Sequence, residues 1–96
     1  MHVRVSRGSF EPSRADDVRA LTESVRQVLR GLPGYRGYRA AVDRSAGTVL
    51  AISFWDSEEH ARFPREALGP VMDQVQHAGV ALEPADVAEV TVSEDR

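Results

Sequence analysis

The segment Thr48–Trp55, read Thr-Val-Leu-Ala-Ile-Ser-Phe-Trp, is apolar on both of its sides. Strand side chains alternate, so Leu50, Ile52 and Phe54 point one way, and Val49, Ala51, Ser53 and Trp55 the other. A strand of this kind needs a cover on each face. The chain has 96 residues, enough for one domain and one layer of helices. A domain this small buries only about 60% of its unfolded-chain surface. It has no cysteine, so disulfides cannot add stability, and thiolate metal sites are excluded. The second cover must come from elsewhere, and a second copy laid sheet to sheet about a two-fold axis is the commonest device. The expectation is that the Trp55 face is the one left for that partner, since an open face bearing a Trp would be a large exposed patch.

The flanking segments supply the rest of the architecture. Val3 and Val5 alternate with His2, Arg4 and Ser6, the period of a half-buried strand. Glu11-Pro12-Ser13 ends it, and Ser13 with Asp16 reads as a capping-box-like helix start. Val18, Leu21, Val25, Val28 and Leu29 form one helical face, and Gly31 and Pro33 stop the helix. Residues 35–42 read as a second strand, joined to the third by a hairpin loop at 43–47. Asp56 or Ser57 caps a second helix, which Pro64 and Gly69-Pro70 break, leaving a further helix over about 70–78. After Pro84, residues 86–92 alternate as a last strand, with a frayed tail at 93–96. This order predicts an α+β fold. It is a ferredoxin-like βαββαβ domain over residues 1–96, with an antiparallel sheet and both helices on one face, the other face being left for a second copy.

Charge narrows the partners. The net charge is −3, and all twelve basic residues are Arg. A net acidic chain gains little from phosphate counterion release, so no nucleic acid is expected. No run approaches the ~18 apolar residues of a membrane span, so no membrane is expected and a cytoplasmic location is. His2, His60 and His77 lack metal-ligand spacing, so no metal is expected.

Leu32-Pro33-Gly34-Tyr35-Arg36-Gly37-Tyr38 after an amphipathic helix, Asp43-Arg44 before the hairpin Gly47, and Phe54-Trp55-Asp56-Ser57-Glu58-Glu59 opening a helix resemble the dimeric α+β barrel superfamily. Its most similar branch is the antibiotic biosynthesis monooxygenase-like proteins. The resemblance spans nearly the whole chain, from Val3 to Val92. It implies a homodimer with a pocket in each subunit for a hydrophobic or aromatic small molecule. It also implies a cofactor-independent monooxygenase, in which the substrate anion itself passes an electron to oxygen. A non-catalytic ligand-binding or regulatory barrel is the alternative. Trp55 matches a family Trp that lines the pocket in several oxygenating members. Those enzymes often add an Asn, which this chain lacks, and a His eight residues after the Trp, where Phe63 stands.

Four side chains are candidates for the site. Trp55 either stacks on a planar ligand or packs in the dimer interface. Tyr38 shares its face if Asp43 pairs with Thr48, and either donates a hydrogen bond to a phenolate or oxyanion or packs beside the Trp. Arg4, opposite Val3 and Val5, needs an anion if that face is enclosed, from a ligand or from an acid of the partner chain. His60, in the first turn of a charged helix, is a candidate base or an exposed, idle residue.

Overall fold

The computed structural model describes residues 1–95. Strand β1 (His2–Ser9) leads through a tight turn at Pro12–Arg14 into helix α1 (Ala15–Leu29). Strands β2 (Tyr35–Asp43) and β3 (Thr48–Trp55) follow as a hairpin. Helix α2 (Glu58–Ala61), a turn at Arg65–Leu68 and helix α3 (Val71–His77) cross back to the short strands β4 (Ala81–Leu82) and β5 (Asp86–Glu89). The sheet order is β2-β3-β1, with β4 and β5 both on the far edge of β1, and every pairing is antiparallel.

Local chemistry accounts for the elements, with three departures from the sequence expectations. Ser13 caps nothing: Pro12 opens the tight turn, Arg14 N–H donates to the Glu11 carbonyl at 2.7 Å, and α1 starts one residue later than a Ser13 cap implies. The Arg14 Nε instead reaches Asp17 in the first turn at 2.7 Å. The hairpin closes with Gly47 at φ 69, where a side chain would strike the Phe10 carbonyl, and Phe10 N–H donates to the Gly47 carbonyl at 2.8 Å. The last strand is split. Residues 83–85 stand opposite Ser6 and Arg7, three against two, which is a bulge around Pro84, a residue with no N–H to give to the ladder. It is also shorter than expected, its ladder ending where Val90 N–H donates to the Met1 carbonyl at 2.9 Å. Residues 93–95 carry no regular structure, and Arg96, the end of the expected tail, lies outside the described residues.

The third departure concerns the faces of the sheet. Asp43 does pair with Thr48, so Tyr38 lies beside Ser53, and Ser53 beside Arg4. This face, with Trp55, is the one the helices cover: Trp55 is 0% exposed, packed with Leu29 and Ala61. The face without a helix carries Val3 and Val5 of β1 against Ile52 and Phe54 of β3, with Leu50 beyond. The expectation that Trp55 faces a partner subunit is therefore reversed. Alternation divides β3 into two apolar sets, but the crossover through α1 decides which set meets a helix. The interior forms two clusters. One gathers Phe10, Ala15, Val18, Leu21, Val71 and Val75, and the other Leu29, Trp55 and Ala61.

Candidate functional site

Between these clusters the helix-covered face of the sheet, α1, the Arg65–Leu68 turn and α3 enclose a cavity of about 380 Å³. Small-molecule sites occupy ~300–1,000 Å³. The apolar stripe of α1 (Val18, Leu21, Val25, Leu29) forms one wall, and Leu68, Met72 and Val75 another. Val49 and Ala51 form an apolar part of the floor, and Tyr38, Ser53 and Arg4 cross it in one row on adjacent strands.

Each member of that row is held by a different bond. The Tyr38 hydroxyl donates to the Thr22 carbonyl of α1 at 3.1 Å. Burial, aided by Tyr35 and Glu23, pushes its pKa up to about 12, so the phenol stays neutral. Ser53 is 4% exposed, and its Oγ accepts from Trp55 Nε1 at 2.8 Å. A hydroxyl that accepts still has its own proton to give. Arg4 is half-buried. Its Nη1 donates to the Ala61 carbonyl at 3.0 Å, and the guanidinium carbon sits 4.2 Å from the centroid of the Phe63 ring, a cation–π contact. The Ala61 carbonyl is free for this because α2 ends at once: the chain leaves helical geometry at Arg62, Pro64 has no N–H to give, and Arg65 opens a separate turn. Burial, and then the neighbouring Arg62, lower the Arg4 pKa. No carboxylate among the described residues lies within ion-pair distance of it.

The structure brings Arg4 and Tyr38 together on the cavity floor and leaves Trp55 and His60 off its lining. Trp55 is sealed beneath Phe63, ring centroids 5.2 Å apart, and edge-on to Tyr35 at 5.8 Å. Its indole therefore meets neither an open sheet face nor the cavity. His60 belongs to the start of α2. Its backbone N–H donates to Ser57 Oγ at 3.2 Å, its Nδ1 lies 3.1 Å from the same oxygen, and its ring covers Gly34. Ser57, not Asp56, is the cap. Arg4 lies on the helix-covered face, away from the bare one, so the expected pairing with an acid across a sheet-to-sheet interface does not suit its position. Phe63 and Ser53 also line the cavity, and neither is among the candidates from sequence. Ser53 had a signal, as a lone polar side chain inside an apolar run; Phe63 is the aromatic seat of Arg4, which only the fold reveals. No cluster of three His, Asp or Glu side chains fit to hold a metal occurs among the described residues. Among them too, no helix is long and apolar enough to cross a membrane.

The fold and site define a ferredoxin-like α+β protein with an apolar cavity behind its sheet. The chain belongs to the antibiotic biosynthesis monooxygenase family, whose model matches residues 1–66. No curated protein sequence matches it. Several solved structures share the fold. A candidate antibiotic biosynthesis monooxygenase from Deinococcus radiodurans superposes with a TM-score of 0.73 at 22% identity, covering 100% of this chain and 98% of that one. Rv0793 from Mycobacterium tuberculosis superposes with a TM-score of 0.67 at 16% identity, covering 98% of each. SnoaB, a cofactor-independent oxygenase from Streptomyces nogalater, superposes with a TM-score of 0.63 at 15% identity, covering 96% and 94%.

Proposed function

We propose that the protein is a homodimeric α+β barrel that takes an electron-rich aromatic molecule into the cavity and lets molecular oxygen oxidise it without a cofactor. One observation carries this reading: the cavity is an apolar slot of about 380 Å³ whose polar floor is the row Tyr38, Ser53 and Arg4. The oxygenase half draws on the family and on the cofactor-independent oxygenase that shares the fold. The dimer draws on the bare sheet face, where Val3, Val5, Leu50, Ile52 and Phe54 have no helix over them.

In such chemistry the ionised substrate gives one electron to O2. The carbon radical and superoxide then combine to a peroxide, and loss of water leaves a carbonyl. A CH2 group and O2 thus become C=O and H2O. The protein's part is to exclude water, hold the ring against the apolar walls and offer the Ser53 hydroxyl as a donor. Tyr38, neutral and giving its proton to the Thr22 carbonyl of α1, is not a base. The lining residues include no histidine and one carboxylate, Glu83. That scarcity of bases favours a second reading, a barrel that binds without turnover. Oxygen uptake with 1,8-dihydroxyanthrone separates them. The expected result is one O2 consumed per anthraquinone formed, undiminished by a chelator. Binding with no rate above that of heat-denatured protein leaves the second reading, and no binding removes both.

A further inference from the structure

We infer that the ligand of this cavity carries a carboxylate and that Arg4 is the residue that reads it. This rests on the cavity being the ligand site. A half-buried guanidinium needs a counter-anion or a full set of hydrogen bonds, because an unpaired charge removed from water is costly. Three arginines line the cavity. Arg7 has its acid, Asp86, at 3.0 Å. Arg4 and Arg65 have none among the described residues. Arg65 is exposed and water can serve it; Arg4 stands deeper, in the row with Ser53 and Tyr38.

The Arg4 guanidinium is also pre-set. The Ala61 carbonyl holds Nη1, and the guanidinium carbon sits over the Phe63 ring. That uses one of five N–H donors and fixes the orientation of the rest. A planar fork held this way matches a carboxylate, which accepts two parallel hydrogen bonds. A phosphate monoester brings nearly two negative charges, and this floor has one half-buried cation to meet them, the Tyr38 proton being committed to Thr22. Burial and Arg62 lower the Arg4 pKa, as expected of a cation with no compensating charge inside the chain.

The far end of the cavity sets the orientation. Glu83, the lining carboxylate, donates its backbone N–H to the Arg7 carbonyl at 2.9 Å. Arg7 is three residues along β1 from Arg4, about 10 Å at strand spacing. That end holds an acid and an arginine already paired with Asp86, so it has no free cation for a second anionic group. The ligand is thus a monoanion, its carboxylate at Arg4 and its uncharged rings reaching toward Glu83 between α1 and the sheet.

The test is titration calorimetry with 1-hydroxy-2-naphthoate and with 1-naphthol, which differ by the carboxylate. Wild-type protein is expected to bind the acid at least about tenfold tighter, the worth of one charge-assisted hydrogen bond. Arg4→Gln is expected to erase that preference, and Arg4→Lys, charged but without the fork, to keep only part of it. Equal affinity of wild type for the two probes overturns the carboxylate inference and leaves the cavity reading standing. Binding of neither probe overturns the cavity reading as well. A preference retained in Arg4→Gln moves the anion site to Arg65, and loss of it in Arg65→Gln alone overturns the role given to Arg4. The wild-type comparison needs no variant to fold.

Discussion

The Trp55–Ser53 bond predicts a measurable coupling inside one strand. Trp55 is 0% exposed, Ser53 is 4% exposed, and the indole N–H donates to the hydroxyl at 2.8 Å. Trp55→Phe removes the donor and part of the ring. The lost bond costs about 1 kcal/mol and the lost contacts about 1 more. Ser53→Ala leaves the indole N–H buried without an acceptor, at about 1–3 kcal/mol. The double variant removes both partners, so its cost falls below the sum of the singles by about 1 kcal/mol. Against a total of about 5–14 kcal/mol for a chain of this length, every variant still folds. Equilibrium urea unfolding followed by far-UV circular dichroism is the assay, because Trp55 is the only tryptophan and two of the three variants lack it. Protein concentration must be held fixed, since a dimer's stability depends on it. Each single change moves the midpoint by about 1 M. Single effects that add to within about 0.3 kcal/mol refute the claim that this bond contributes to stability.

Three further outcomes follow from the same structure. Tyr38 titrates at about 12 in the fold against 10.0 for an ordinary tyrosine. Its folded pKa is raised, so its contribution is complete below pH 10 and is lost as pH rises through 12; Tyr38→Phe should flatten the alkaline fall in stability, and an unchanged slope counts against a neutral buried phenol. Gly34 has φ 79, and a Cβ there would overlap the His60 ring; Gly34→Ala should cost about 1–3 kcal/mol in thermal or urea melts, with His60→Ala recovering the overlap and leaving the backbone strain. Ile52→Glu places a charge in the bare apolar face of the sheet; light scattering should give 10.6 kDa for the variant and twice that for the wild type, and a wild-type monomer sinks the dimer.

The strands and first helix were readable because their periods are clean. Val18, Leu21, Val25 and Leu29 repeat at helical spacing, and the pairing of Asp43 with Thr48 follows from a short loop containing a Gly. The assignment of faces was not. Both sides of β3 are apolar, so composition cannot say which meets a helix, and Trp55, the expected outward residue, is fully buried. The bulge at Pro84 and the Ser13 error share a cause: a proline marks a break without fixing how many residues the break takes up. The floor of the cavity was half legible. Tyr38 and Arg4 stood out by type and strand position, whereas Phe63 earns its place through a guanidinium 59 residues away in sequence.

The hollow between the two apolar clusters has a consequence for how this molecule is built. Val18 and Leu21 on one side and Leu29 on the other border the same empty space. The interior is unfinished, and a bound aromatic molecule would complete it as a side chain does elsewhere. A ligand at one hundred times its Kd would add about 2.7 kcal/mol to the fold, a gain of roughly 10–20 °C in Tm for a domain of this size. A substitution that fills the space from the floor, such as Ala51→Leu, would compete for that same gain, so a sturdier protein and an empty-handed one would be the same variant.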